Sequence, residues 1–405
     1  MPRLFAKRIL KLQILLFLPL ALSGASLDSL IQNAKESHTS LQVIKQKLSA
    51  ISDEYELSKN FSNPELSISI SDIQLGDPID RSLEPMQFSS VNFKQKIPYF
   101  GKRDALSKKV DAKKESIVFN LEDAKIKLSK AITIKAYEIW QIEEQLRITD
   151  EYIELTKQNI ELFTAYNNSD ANSHMSIMGA ELSLSQLQIK KSDLKGLKNG
   201  LYKQISYLSA MDATSIELDS QMAKPKDIKT YINSYEQNSL YKLKLAKVKE
   251  AHAEVTIQKL QSYSDPVVQV GYYYRESFED YLNIGVGFSL PIYGSENSKQ
   301  EISRKMELSQ KSQANDYKNL LTSQIYTLYA KLQNSYEVYN IIHQESLPQI
   351  QHMFDLSSSA IKNGAELFLY IDMLERKLSL DEQSIKAQAS YHKTLASLDA
   401  LIGDI

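Results

Sequence analysis

The chain has 405 residues, a formal net charge of −2 and no cysteine. The near-neutral charge excludes the basic surface that is typical of nucleic-acid-binding proteins. The absence of cysteine excludes disulfides, thiolate catalysis, cysteine-ligated metal sites and a lipidated cysteine anchor. With only 12 Gly and 10 Pro, against an average usage of about 7% and 5%, the chain is predicted to form long, uninterrupted helices.

The first 25 residues have the pattern of a secretory signal peptide. A basic start precedes an apolar run from residue 14 to residue 22. Ser23-Gly24-Ala25 supplies the small residues that a signal peptidase requires, so we predict cleavage after Ala25. The apolar run is shorter than the roughly 20 residues of a membrane-spanning helix, which favours a cleaved signal over an anchor.

After this segment the periodicity changes from helix to strand and back. Helical spacing predicts a helix from 27 to about 60, which Asn63-Pro64 ends. Alternating apolar and polar residues then predict strands at about 64–75 and 87–97. The stretch from 102 to about 165 contains no Pro or Gly, which predicts a rod of roughly 100 Å. A polar turn and a helix from about 175 to 211 follow.

The same order of elements recurs in the second half. A helix from 225 to about 262 leads to strands at about 266–275 and 281–290. A rod from Gly294 to about 360 and a last helix to 401 complete the pattern. The segment Ile97-Pro98-Tyr99-Phe100-Gly101 matches Leu290-Pro291-Ile292-Tyr293-Gly294 at the equivalent place. We therefore predict two structural repeats, 26–216 and 217–405.

The number of strands constrains what such a repeat can build. Strands of about ten residues match a tilted transmembrane strand, but four cannot close into a barrel, and lipid does not tolerate open sheet edges. Three copies would supply twelve strands, an even number in the range of outer-membrane barrels. The predicted fold is mainly α with a small membrane part, in which a trimer forms a 12-stranded β-barrel continued by a long periplasmic α-helical barrel. A soluble α/β protein with two hairpins would lack a compact core.

Four short motifs resemble those of the TolC-type outer-membrane efflux protein family. Asn63-Pro64-Glu65-Leu66 resembles the motif before the family's first strand, and Gln95-Lys96-Ile97-Pro98-Tyr99-Phe100-Gly101-Lys102-Arg103 resembles the motif after its second. Ser289-Leu290-Pro291-Ile292-Tyr293 is similar to the second-repeat counterpart, and Leu398-Asp399-Ala400-Leu401-Ile402-Gly403 to the C-terminal motif. The motif positions are Pro64, Pro98, Gly101, Lys102, Arg103, Pro291 and Gly294.

The resemblance implies a passive conduit in the bacterial outer membrane, with most of the chain in the periplasm. It implies a homotrimer whose partners are a periplasmic membrane-fusion adaptor and an inner-membrane pump of a tripartite efflux or type I secretion system. Gly101-Lys102-Arg103 favours a pump of the proton-driven RND type. Drugs, metal cations or other small molecules would be the exported class. Nothing in the sequence resembles a catalytic set, so we expect no enzymatic activity, cofactor or resident metal, and the near-neutral charge predicts no nucleic-acid partner.

The two turns between long helices are candidates for the periplasmic mouth of such a duct. Repeated three times around an axis, carboxylates there would form rings that favour cations and must be separated or neutralised for opening. The gate candidates are Asp170, Glu366 and Asp372; the simpler alternative is that they are ordinary solvated charges. The turn residues expected to contact the adaptor are Asn168, Ser169, Asn363 and Gly364.

The strands also contain aromatic residues that could lie at the membrane interface. An aromatic girdle is typical of outer-membrane barrels, although the general β-propensity of aromatic residues predicts the same positions. The girdle candidates are Phe88, Phe93, Tyr272, Tyr274 and Tyr281.

Two other classes of protein fit parts of the pattern. A periplasmic coiled-coil scaffold or adaptor without a pore would need no lipid-facing side on its strands, and the alternation from Leu282 to Leu290 disfavours it. An exported enzyme would need convergent polar residues, but the six histidines are scattered and lack metal-ligand spacing.

Overall fold

A computed structural model describes residues 25–166, 171–361 and 367–405. The predicted signal peptide lies outside these residues except for Ala25. Ala25–Ser26 forms a short strand, β1, that pairs in parallel with β4, Ile216–Glu217. This pairing was not predicted, because two-residue strands have no periodicity to detect. The predicted boundary between the repeats falls within β4, and the division into repeats remains a prediction.

The first helical segment is two helices and not one. Helices α1 (Leu27–Ser37) and α2 (Thr39–Lys59) are separated by the extended residue His38. The His38 N–H donates to the Ala34 carbonyl, and its Nδ1 accepts from the Ser40 N–H at 3.3 Å. One residue therefore ends the first helix and caps the second. The prediction of a single helix from 27 to 60 was wrong at this position.

The long rod of the first half forms as predicted. Helix α3 (Lys102–Tyr166) contains 65 residues, which corresponds to about 100 Å, and α4 (Ala171–Ser209) returns along it. A helix of this length requires partners along its whole extent. It packs against α1, α2 and α4 and against helices of the second half.

The helices of the second half depart from their prediction at two places. Helix α5 (Ile228–Asn233) and a 3-10 turn (Tyr235–Gln237) precede α6 (Ser239–Gln261), so the predicted helix from 225 to 262 is interrupted. Asn238 causes the restart, because its Oδ1 accepts from the Tyr241 N–H at 2.8 Å and caps α6.

The second rod is divided by a π-helical turn. Helix α7 (Ser295–Ile341) continues through this turn (Ile342–Ser346) into α8 (Leu347–Ile361). Pro348 lacks the N–H that would bond four residues back, and its ring crowds that carbonyl. The helical segment still runs to residue 361, close to the predicted end of the rod at about 360, and only the π-helical turn before the proline was not predicted. Helix α9 (Leu367–Ile402) closes the chain.

One antiparallel sheet lies between the helical segments. Its strands are β2 (Glu65–Ser71), β3 (Phe88–Lys96), β5 (Val267–Tyr274) and β6 (Tyr281–Gly287), in the order β2-β3-β5-β6. The first strand ends before the predicted residue 75, because Asp72 adopts φ +58°. The last ends before the predicted residue 290, because Gly287 pairs with Val267, the first residue of its partner.

Three apolar clusters stabilise the helices along the rods. One contains Tyr152, Phe163 and Leu374 and lies toward the α3–α4 turn. A second joins α1, α3 and α4 around Ile132. A third joins α7 and α9 around Ile325. The helices are therefore held together at several points along their length and not in one central core.

Candidate functional site

The sheet has one apolar face and one polar face. In register across the four strands, the apolar face has the row Leu66, Phe93, Val270 and Ile284 and the row Ile68, Val91, Tyr272 and Leu282. These side chains are exposed, to 75% for Ile68 and 72% for Ile284. Water is an unfavourable neighbour for an apolar surface this continuous, so the face requires lipid or protein against it.

The opposite face carries polar groups in the same register. One row contains Ser67, Asn92, Gly271 and Asn283, and the next contains Ser69, Ser90, Tyr273 and Tyr281. The Ser69 and Ser90 hydroxyls lie 2.7 Å apart and are hydrogen-bonded. A sheet with one apolar and one hydrogen-bonding side can separate hydrocarbon from water.

The predicted aromatic girdle is divided between these two faces. Phe93, Tyr272 and Tyr274 lie on the apolar face, as a girdle requires. Phe88 and Tyr281 lie on the polar face with Tyr273, so the register contradicts their assignment to a lipid-facing girdle. The sequence held the signal: Phe88 and Phe93 are five positions apart on one strand, and side chains of opposite parity point to opposite faces.

Both outer strands of the sheet have open edges. In the described chain β2 and β6 each have one neighbour, so their free N–H and C=O groups can pair with a further strand and would have to do so in lipid. The long helices also expose apolar stripes at helical spacing. On α4 the stripe consists of Met178, Leu182, Ile189 and Leu197, and on α7 it includes Ile302 and Met306.

A partly buried ionic junction connects the strands to the helices. The Lys102 ammonium lies 2.6 Å from Asp265 Oδ1 and the Lys96 ammonium 3.2 Å from Oδ2. The Tyr99 N–H donates to the same carboxylate at 2.8 Å. Burial opposes ionisation, but these hydrogen bonds hold the pKa of Asp265 below its ordinary value. The Tyr99 ring stacks on that of Tyr263, with centroids 4.7 Å apart.

The family-motif residues lie at this junction, where strands turn into helices. Gly101 and Gly294 adopt φ of +88° and +71° before α3 and α7, a conformation that favours glycine. The Arg103 guanidinium lies 3.9 Å from the Phe61 ring centroid and donates to the Lys59 carbonyl at 2.9 Å. These contacts tie the end of α2 to the start of α3.

The motif prolines lie outside the strands. Pro64 precedes β2, Pro98 follows β3, and Pro291 follows β6. A proline cannot donate to a ladder and is confined to strand ends and edges. All three prolines lie at the helix-side end of the sheet, because Glu65 pairs with Lys94 and both Lys96 and Gly287 pair with Val267. The structural role of these prolines needs no bound ligand.

Polar contacts connect the helices near their far ends. The Tyr152 hydroxyl donates to Asp381 at 2.9 Å, joining α3 to α9. The Ser183 hydroxyl donates to Glu375 at 2.7 Å, and Lys190 forms an ion pair with Glu382, so α4 is also joined to α9. Burial is the first cause, and Asp381 the second, that raises the pKa of Tyr152 well above its ordinary value. These contacts were not predicted, because the sequence does not indicate which polar residues on one helix will meet those on another.

Two of the three gate candidates and all four residues expected to contact the adaptor lie outside the described residues. This applies to Asp170, Glu366, Asn168, Ser169, Asn363 and Gly364. Asp372 lies in α9, where its carboxylate accepts from Arg376 at 2.8 Å in an i,i+4 ion pair. Its role as a gate residue remains a prediction.

Two kinds of feature are missing from the described ranges. Across 25–166, 171–361 and 367–405, none of the helices combines the length and apolarity needed to span a membrane. Within the same ranges no group of three or more His, Asp or Glu could hold a metal ion.

Comparison with solved structures identifies the fold. The outer membrane protein VceC of Vibrio cholerae superposes with a TM-score of 0.77 at 15% identity, over 93% of this chain and 96% of VceC. The Campylobacter jejuni CmeC outer membrane channel gives 0.76 at 12% identity, over 93% and 85% of the two chains. The open state of the Neisseria gonorrhoeae MtrE outer membrane channel gives 0.76 at 12%, over 93% and 88%. No protein-family model matches the sequence, and no curated protein matches it.

Proposed function

We propose that this chain, which has the fold of outer-membrane channels, is one subunit of a trimeric duct in the bacterial outer membrane. The apolar face of its sheet carries the proposal. Four short strands cannot bury that face themselves. An exposed band of Leu, Ile, Val and Tyr side chains is suited to contact with lipid. The polar face then lines a water-filled passage.

Three copies satisfy the free edges of the sheet. If β6 of one subunit pairs with β2 of the next, the strands close into a ring of twelve, and no backbone group is left unpaired in lipid. The apolar stripes on α4 and α7 support the same assembly, because they would be covered by neighbouring subunits as in other packed helical tubes.

The helices extend the passage across the periplasm. A rod of 65 residues reaches about 100 Å from the sheet, far enough for its end to meet an adaptor that stands on the inner membrane. The duct would be passive and not an enzyme, with the energy supplied by a pump of the RND type or by a type I exporter. The exported drugs, metal cations or other small molecules would be selected by that pump.

A periplasmic coiled-coil scaffold is the alternative. It explains the rods but gives no reason for an apolar sheet face opposite a polar one. Reconstitution of the purified mature protein in planar lipid bilayers distinguishes the duct from the scaffold. A duct gives stepwise conductance at each insertion, whereas a scaffold gives none and remains in the aqueous fraction.

A further inference from the structure

Four side chains form a continuous column on the polar face of the sheet. The Phe88 ring meets Tyr273 edge-on, with centroids 4.9 Å apart and planes at 71°. Tyr273 stacks on Tyr281 at 4.7 Å with an interplanar angle of 6°. The Arg275 guanidinium lies 5.2 Å from the Tyr281 centroid. The column crosses β3, β5 and β6. It contains Phe88 and Tyr281, the two girdle candidates that lie on the polar face.

The neighbouring residues hold the column in place. The Tyr273 hydroxyl donates to Asn92 Oδ1 at 3.0 Å, and the side chains of both residues lie over Gly271. A Cβ at Gly271 would clash with the Asn92 amide and the Tyr273 ring. Glycine is therefore required there so that the ring can lie across the sheet. The Tyr273 ring is therefore held in one orientation by specific contacts with its neighbours.

The Arg275 guanidinium interacts with the nearby charge of Asp280 without forming a direct ion pair. Its Nε and Nη2 both donate to the Glu279 carbonyl, the Nε at 2.8 Å, and its Nη1 donates to the Pro85 carbonyl at 3.5 Å. In the described chain no carboxylate forms a salt bridge with this guanidinium. The Asp280 carboxylate is instead bound by the Tyr272 hydroxyl and the Arg275 backbone N–H. Each terminal nitrogen of the guanidinium keeps a second N–H, so these two donors can bind a further anion while the contacts to the carbonyls remain.

The column lies at the end of the sheet away from the helices. Phe88 follows the connection between β2 and β3, and residues 273 and 281 flank the connection between β5 and β6. The strand ends that lead into α3 and α7 are on the other side. In the trimer proposed above, three columns would surround the outer end of the passage, where every exported molecule must cross them.

We propose that this aromatic–arginine column is a binding site on the wall of the passage for planar aromatic anions. Aromatic rings accept a flat solute by stacking, and a guanidinium binds a carboxylate or sulfonate through paired hydrogen bonds. The inference rests on the proposed duct, because it requires the polar face to line a passage.

Block of single-channel current tests the column. The probe is naphthalene-1-sulfonate, compared with methanesulfonate, which has the same charge and no ring. The wild-type current is expected to be blocked at least tenfold more strongly by the aromatic sulfonate. Tyr281→Leu and Arg275→Gln should each weaken that block at least fivefold. Phe93→Leu, which removes an aromatic ring from the opposite face, should leave the block unchanged.

The outcomes separate the column from the duct. Conductance with equal block in the wild type and in Tyr281→Leu overturns the column and leaves the duct intact. Stronger block by the aromatic cation benzyltrimethylammonium overturns the assignment of charge. Absence of conductance in the wild type overturns both proposals. Arg275→Gln lies outside the strand, so it decides the question even if Tyr281→Leu fails to assemble.

Discussion

The Lys102 ammonium and the Asp265 carboxylate are 2.6 Å apart, and both side chains are largely buried, at 17% and 16% exposure. The pair joins the start of α3 to the residue before Pro266 and β5, two segments that are distant in sequence. It therefore fixes the hairpins of the two halves on the helices below them.

Replacing Asp265 is expected to weaken this junction strongly. Asp265→Ala leaves the partly buried Lys102 ammonium without its carboxylate, at a cost between the about 0–1 kcal/mol of an exposed pair and the about 3–5 kcal/mol of a fully buried one. Heat dissociation of the purified oligomer should occur at a clearly lower temperature. Glu65→Gln is the matched control, because it breaks the exposed pair with Lys94, which is worth about 0–1 kcal/mol. Equal effects of the two variants would contradict the structural role of the junction.

The carboxyl of Asp399 predicts a pH dependence of stability. Burial is the main cause that raises its pKa from 3.8 to about 6, with a contribution from Asp404. A raised carboxyl pKa stabilises the fold fully below pH 3.8, and this contribution is lost as the pH rises through 6. Asp399→Asn should therefore stabilise the protein at pH 7.5 by about 1–2 kcal/mol, after discounting for partial exposure.

The measurement for Asp399 is thermal unfolding from pH 4 to pH 8. The gain from Asp399→Asn should be largest above pH 6 and smallest near pH 4. Asp212→Asn, at an exposed position, is the control. A gain that does not change with pH would show that the carboxyl ionises in the folded protein as it does in water.

The two faces of the sheet should respond oppositely to a new charge. Ile284→Lys places an ammonium on the proposed lipid side, at a cost of about 2–4 kcal/mol near the bilayer midplane. Asn283→Lys places the same charge on the polar side of the same strand. Membrane fractionation should show loss of assembled protein for the first variant only. Equal recovery of both variants from the membrane would contradict a lipid-facing sheet.

The hydrogen bond from Tyr152 to Asp381 predicts an effect on the opening of the proposed duct. It joins α3 to α9 at 2.9 Å, so Tyr152→Phe should loosen these helices and raise the open probability in bilayers by roughly twofold or more, as expected for a loss of about 0.5–1.5 kcal/mol. Lys249→Gln removes the exposed pair with Glu115 between α3 and α6 and should leave gating unchanged. A larger change in open probability for Lys249→Gln than for Tyr152→Phe would contradict a role of the Tyr152–Asp381 hydrogen bond in opening.

The fold was largely predictable because its two periodicities are long and clean. The absence of Pro and Gly predicted α3 closely, and alternation predicted all four strands of the sheet. The errors lie where one side chain decides the geometry. His38 and Asn238 cap new helices inside apparently continuous patterns, and Asp72 ends β2 early. Pro348 was a visible signal for the π-helical turn.

The candidate site was less predictable, because its residues meet only through tertiary contacts. The motif indicated that Gly101 and Lys102 matter, but not that Lys102 binds Asp265, a residue 163 positions away. The girdle prediction did not consider that alternate residues of β3 point to opposite faces of the sheet, which places Phe88 and Phe93 on different faces. The links from α9 to Tyr152 and Ser183 depend on helix register, which periodicity does not determine.

Electron microscopy of the purified mature protein in detergent tests the central claim most directly. The proposed duct predicts three-fold particles with a tube extending on the order of 100 Å from the micelle. Soluble monomers or rods without three-fold symmetry would contradict it and favour a periplasmic scaffold.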